Sequence, residues 1–210
     1  MIEREFIKEK NKHLKVKEFL MATIPLNAGI GSIMIEKTPL GERITMEAVR
    51  PAIIIGSGGR NISEITATLR SKFSLENPQI QVKEIAVPAL NATVMANKMA
   101  NEMMRFGTAR FKAIGYKALQ EMLNSGALGA EIRLSGRGIP GARAQRWRFA
   151  AGYMKKCGQL ALEGVEHATV NVNLHSGTVG IQISIMPPTI ILPDRVRMKP
   201  AAAVTAEAAK

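Results

Sequence analysis

Ile53-Ile54-Ile55-Gly56-Ser57-Gly58-Gly59-Arg60-Asn61-Ile62 is the stretch of this 210-residue chain that decides its fold. Glycine has no side chain, so the backbone over residues 56–59 can come close to a ligand. Amides in this loop and at the start of a following helix can donate hydrogen bonds to phosphate oxygens. The stretch therefore predicts a nucleic-acid backbone-binding loop, made of Gly56, Ser57, Gly58, Gly59 and Arg60.

Periodic patterns on both sides of the loop predict the elements around it. Residues 3–24 have helical character, and two alternating strands follow, with a turn at Pro39-Leu40-Gly41 between them. Pro51 can open a short helix, although the three consecutive isoleucines favour a strand by propensity. Beyond the loop, apolar residues fall at helical spacing at Ile62, Ile65, Leu69 and Phe73. Ile80 and Val82 then alternate with polar residues as a third strand.

This order of strand, strand, helix, glycine loop, helix and strand resembles the type II KH domain, an RNA-binding fold. The resemblance implies a three-stranded sheet packed by helices, and it requires Ala52–Ile55 to be helical. In the KH fold such a loop clamps about four nucleotides of backbone. Taken as a tetrapeptide alone, residues 56–59 would indicate an ordinary glycine turn more strongly than a binding loop, and the surrounding order of elements favours the KH interpretation.

The charge of the chain points to a polyanionic partner. Its 29 Lys and Arg residues exceed its 17 Asp and Glu residues, which gives a net charge of +12. Basic charge displaces the counterions that condense on phosphates. The densest basic region has glycines at 136, 138 and 141, and we expect its cations to bind RNA, with a solvated loop as the alternative. These cations are Arg133, Arg137, Arg143, Arg146, Arg148, Lys155 and Lys156.

The sequence shows few of the residue patterns that are typical of catalytic or metal-binding sites. The three histidines lack the spacing of metal ligands, and a lone Cys157 excludes a multi-thiolate zinc site and an internal disulfide. Residues 136–141 match the dinucleotide pattern G-x-G-x-x-G, but Pro140 interrupts the expected start of a helix. The sequence therefore predicts no enzyme, no cofactor and no metal.

Targeting signals are also missing from the sequence. No segment reaches the ~18 continuous apolar residues that a membrane span needs. The first residues, Met1-Ile2-Glu3-Arg4-Glu5, are charged and lack the apolar core of a secretion signal. We therefore expect a cytoplasmic protein that has no membrane partner.

Val87-Pro88 is the expected boundary between two domains. Beyond it, two helices rich in Ala and Met precede a set of alternating strands, which ends in a hairpin with its turn at residues 175–177. We expect an α+β protein: an N-terminal helix and KH domain over residues 1–88, then an α+β domain over 89–195. The second domain should contain a small, mostly antiparallel sheet, and residues 196–210 should form a flexible tail.

Several strings in the second half resemble one family closely. They are Gly126–Arg137, Gly141-Ala142-Arg143-Ala144, Gly152–Lys156 and the hairpin segment Gly177–Ile181. Together with the KH pattern they are similar to the small-subunit ribosomal protein S-three family, in its archaeal and eukaryotic form. The short tail looks more archaeal than eukaryotic.

The resemblance implies a structural constituent of the head of the small ribosomal subunit. Such a protein binds ribosomal RNA, contacts neighbouring head proteins and lines the channel through which messenger RNA enters. Family members contact messenger through basic residues on the helix before the C-terminal sheet, where this chain has Lys112 and Lys117, with Arg110 nearby. A free KH regulator of RNA is the alternative, and an RNA-processing enzyme is a third hypothesis.

Overall fold

Two separate sheets, one in each half of the chain, organise the structure, which is a computed structural model. It describes residues 2–39, 41–75, 77–137, 139, 145–190 and 192. The flexible tail expected over 196–210 therefore lies outside the described residues. The α+β class predicted from the sequence is confirmed.

The described residues of the first half form three α-helices and a three-stranded sheet. The elements are α1 (Ile2–Thr23), β1 (Ile30–Thr38), β2 (Gly41–Ala48), α2 (Pro51–Ile55), α3 (Arg60–Phe73) and β3 (Gln79–Glu84). The strands lie in the order β1-β2-β3; β1 and β2 are antiparallel, whereas β2 and β3 are parallel. The predicted helix–glycine loop–helix segment therefore connects two parallel neighbours.

Helix α2 resolves the conflict between propensity and fold at the three isoleucines. Pro51 occupies the first turn, where its missing N–H needs no partner. Ile54 is buried in the core with Ile44 and Leu69, whereas Ile55 is exposed. Burial of Ile54 in this tertiary core outweighs the weak local preference of isoleucine for strands.

The second half places helices on one face of a four-stranded antiparallel sheet. The elements are α4 (Ala92–Phe106), α5 (Phe111–Asn124), β4 (Gly129–Gly136), β5 (Arg146–Gly152), α6 (Gln159–Glu163), β6 (Glu166–Leu174) and β7 (Gly177–Met186). The strand order is β5-β4-β7-β6. Asn91 caps the N-terminus of α4, where its side chain accepts hydrogen bonds from the amides of Thr93 and Val94.

Strand β5 was not predicted from the sequence, which indicated only a basic region with glycines at 136, 138 and 141. In the structure β5 pairs with β4, and Phe149 on its inner face is buried. Arg146 and Arg148 lie on the opposite, exposed face. Two of the predicted RNA-binding arginines are therefore held on a strand.

The buried apolar side chains form two clusters that follow the two halves. The first lies within residues 16–75 and the second within residues 89–185. The expected boundary at Val87-Pro88 falls between them and stays a prediction. Within the described part of the chain, no helix has both the length and the apolar character needed to cross a membrane.

Candidate nucleic-acid interface

The glycine loop between α2 and α3 needs glycine at its first position for two reasons. Gly56 has a φ of 73° and a ψ of 176°, a conformation open in practice only to glycine. A Cβ there would lie 2.6 Å from Cγ of Asn61. The Asn61 side chain needs that space because its Nδ2 donates a hydrogen bond of 3.1 Å to the Ile53 carbonyl. This contact joins the two helices across the loop.

The loop leaves two backbone donors without a partner. The amides of Gly56 and Gly59 donate to the carbonyls of Ala52 and Gly56, at 2.9 and 3.4 Å. The amides of Ser57 and Gly58 have no acceptor among the residues that the structure describes. Both residues are exposed. These two N–H groups, which have no partner among the described residues, lie in the loop just before α3 and are suited to phosphate oxygens.

Arg60 adds a positive charge to this loop. It is exposed at the first position of α3, and no ion-pair partner for it occurs in the described ranges. RNA binding by the loop stays a prediction for all five of its residues, Gly56, Ser57, Gly58, Gly59 and Arg60.

Three of the seven cations predicted to bind ribosomal RNA converge on one buried carboxylate. Nε of Arg133 and Nε of Arg148 donate to Oε1 of Glu131, at 2.7 and 2.8 Å. Nζ of Lys156 lies 3.3 Å from Oε2 of the same residue. We call these four residues the Glu131 cluster.

Glu131 remains ionised at the centre of this cluster. Glu131 is only 3% exposed, and burial of its carboxyl group acts to raise its pKa. The hydrogen bonds from Arg133, Arg148 and Lys156 outweigh burial and lower the pKa to about 2. The carboxylate neutralises one of the three positive charges, so the cluster keeps a net charge of +2.

The other four predicted cations of this region are placed differently. Arg137 and Arg146 are exposed and have no ion-pair partner within the described part of the chain. Nζ of Lys155 lies 5.6 Å from the centre of the Tyr153 ring. Arg143 lies outside the described residues.

The cations predicted to contact messenger RNA lie around the start of α5. Nζ of Lys112 is 4.7 Å from the Trp147 ring, and the Arg110 guanidinium is 6.0 Å from the Phe106 ring. Nζ of Lys117 lies 3.4 Å from Oε1 of Glu102. All three cationic residues remain exposed, so their side chains can still reach a ligand.

Models of two known protein families match the chain, one in each half. The family model of the KH domain matches residues 15–90, and that of the ribosomal protein S3 C-terminal domain matches residues 98–185. The chain belongs to the small ribosomal subunit protein uS3 family. It is thus a member of a ribosomal protein family and not of an enzyme family, as the sequence predicts.

Archaeal members of the uS3 family are similar over nearly the whole chain. The protein of Methanobrevibacter smithii is 40% identical over 200 residues, which cover 95% of this chain and 78% of that protein. The protein of Methanocaldococcus jannaschii is 38% identical over 199 residues, which cover 95% of this chain and 94% of that protein. Both are named small ribosomal subunit protein uS3.

Glu131 is the site residue of this uS3 family member that sequence reasoning missed. It is the one acidic residue within residues 131–156, and a count of the cations there gives no reason to single it out. A signal was present, because Glu131 and Arg133 are two residues apart in a predicted strand and so share a face. The contacts with Arg148 and Lys156 depend on β5 and on the chain after it, so they needed the tertiary structure.

Proposed function

We propose that the chain is a structural constituent of the small ribosomal subunit, in the cytoplasm, where it binds ribosomal RNA. The observation that carries this proposal is the similarity to named small-subunit proteins across both halves of the chain. The net charge of +12 supports it, because RNA is the polyanion that ribosomal proteins must bind. No catalytic step is required of such a protein.

The two domains of the proposal divide the RNA contacts between them. The KH domain, over residues 1–88, offers the amides of Ser57 and Gly58 with the charge of Arg60. The C-terminal domain, over residues 89–195, offers the larger charge, on Arg137, Arg146 and the Glu131 cluster. Because phosphate affinity follows the number of cations that meet the backbone, the second domain is the stronger RNA-binding surface.

The exposed cations around the start of α5 bear on the position of the chain in the subunit. The chain would sit in the head, beside other head proteins, and would present Arg110, Lys112 and Lys117 to incoming messenger RNA. Exposure of these three residues supports that role. Photo-crosslinking from position 117 in assembled ribosomes tests it: crosslinks to messenger are expected, and crosslinks only to ribosomal RNA would contradict the role.

Sedimentation of a tagged copy in its own cells tests the function as a whole. We expect the tagged chain to co-sediment with small subunits in stoichiometric amounts and to remain bound in moderate salt. The alternative, a free KH regulator, predicts a ribosome-free pool bound to other RNAs. The exposed arginines of the second domain disfavour that alternative, because a free regulator needs no second large RNA-binding surface.

A further inference from the structure

The Glu131 cluster lies on the outer face of the second sheet, away from α4 and α5. Arg133 on β4 is directly opposite Arg148 on β5 and Gln182 on β7, so these side chains share that face. Ser135 is opposite Arg146 and Gly180 in the same way. Among the strand residues that the structure describes, Glu131 is the acid on this face. The described strand residues of this face are therefore mainly polar, and its charge is mainly positive.

Burial separates the acid of the cluster from its cations. The Glu131 side chain is 4% exposed, whereas those of Arg133 and Arg148 are 54% and 56% exposed. Each arginine uses its Nε–H group for Glu131, and the terminal amino groups of its guanidinium have no partner among the described residues. The carboxylate thus lies beneath the cations, and solvent meets mainly positive charge.

We propose that Glu131 is a positioning residue for RNA binding: it holds Arg133, Arg148 and Lys156 in place so that their free donors meet RNA phosphates. This inference rests on the proposed function. Exposed arginines lose rotamer freedom when they bind phosphate, and here part of that freedom is already lost on folding. RNA backbone is the occupant that the charge of the face selects, because phosphates present the acceptors that guanidinium groups bind in pairs.

The variant Glu131→Gln separates positioning from simple charge, because the two make opposite predictions. It removes a negative charge from a basic face, so if charge alone mattered, RNA would bind more tightly. If Glu131 positions the cations, affinity for transcribed small-subunit ribosomal RNA falls by about 5-fold or more. The plot of log affinity against log salt also becomes shallower, by about 1.

Glu163→Gln is the matched control. Glu163 is exposed on α6, where it accepts a hydrogen bond of 2.9 Å from Gln159, and the substitution removes the same charge outside the cluster. We expect it to leave RNA affinity unchanged or slightly raised. Arg148→Lys is the second variant, for the case in which Glu131→Gln does not fold. It keeps the charge but lacks the planar guanidinium, and it should weaken binding by about 3-fold or more.

The outcomes distinguish this inference from the proposed function. Wild-type affinity for small-subunit ribosomal RNA, with the losses given above, supports both. If the wild type binds and Glu131→Gln binds equally or more tightly, only the positioning role is overturned. The same holds for Arg148→Lys where Glu131→Gln does not fold. A wild-type chain that does not bind the RNA overturns both. Binding of poly-glutamate with the same dependence on Glu131 would assign the face to an acidic protein and overturn the RNA inference.

Discussion

At the scale of single residues, Gly58 gives the most direct test of the KH loop. Its φ is 64°, and no heavy atom lies within 4 Å of the position that a Cβ would take. Asp and Asn both tolerate this left-handed backbone, so Gly58→Asn is a control for Gly58→Asp with equal strain. The carboxylate would lie beside the free amides of Ser57 and Gly58. We expect Gly58→Asp to bind ribosomal RNA about 3- to 10-fold more weakly than Gly58→Asn in a filter-binding titration. Equal affinities would show that the loop does not contact phosphate.

Glu131 also predicts how stability depends on pH. Its pKa in the folded chain is about 2, below its ordinary value of 4.5. A lowered carboxyl pKa stabilises the folded state fully above about pH 4.5, and this stabilisation is lost as the pH falls towards 2. It amounts to at most about 3 kcal/mol, and to less here because solvent screens the half-exposed cations.

Urea unfolding between pH 7 and pH 2 measures this effect. Wild type should be more stable than Glu131→Gln at pH 7, and the difference should shrink below about pH 4.5 as the carboxylate is protonated. Glu163→Gln serves again as the control, with a difference from wild type that stays small at every pH. Wild-type and Glu131→Gln curves that run parallel across the range would show that the ion pairs do not stabilise the fold.

At the scale of elements, packing between α5 and β5 depends on Gly115. A Cβ at this position would lie 2.9 Å from the buried Phe149 ring, which also meets the Tyr116 ring edge-on at a centroid distance of 5.0 Å. Alanine would favour the helix by about 1 kcal/mol. The clash should cost about 1–3 kcal/mol, because the ring has little room to move. We therefore expect Gly115→Ala to lower the free energy of unfolding, and a stabilised variant in urea titration would contradict the close packing.

The elements also show what a sequence can and cannot indicate. Strands such as β6 and β7 were predicted correctly, because alternation reflects burial on one face. Helix α2 was expected from the resemblance to the KH fold and not from propensity. Strand β5 was not predicted, although Trp147 and Phe149 alternate with arginines, because the arginines indicated a basic RNA-binding region. Exposure of one face to solvent permits arginine there, so charge on alternate residues does not exclude a strand.

At the scale of the whole molecule, charge and glycine content indicated an RNA-binding surface but not its internal organisation. The three cations of the Glu131 cluster belong to different segments, and only the sheet brings them together. Arg148 is 17 residues from Glu131 in sequence and lies 2.8 Å from its carboxylate in space. Such a contact depends on strand register, which alternation within a single strand does not fix.

The two apolar clusters predict that the halves of the molecule unfold separately. Leu69 is fully buried in the first cluster and Met122 in the second. Replacing either residue by alanine should lower the free energy of unfolding by about 2–5 kcal/mol. Hydrogen exchange on the full chain should then show the loss mainly in β1–β3 for Leu69→Ala and mainly in β4–β7 for Met122→Ala. Helix α4 contacts β1, and Val94 lies close to Gly29, so the halves do touch. If that contact couples them, each variant would lower protection in both sheets, and the division into domains at residue 88 would be wrong.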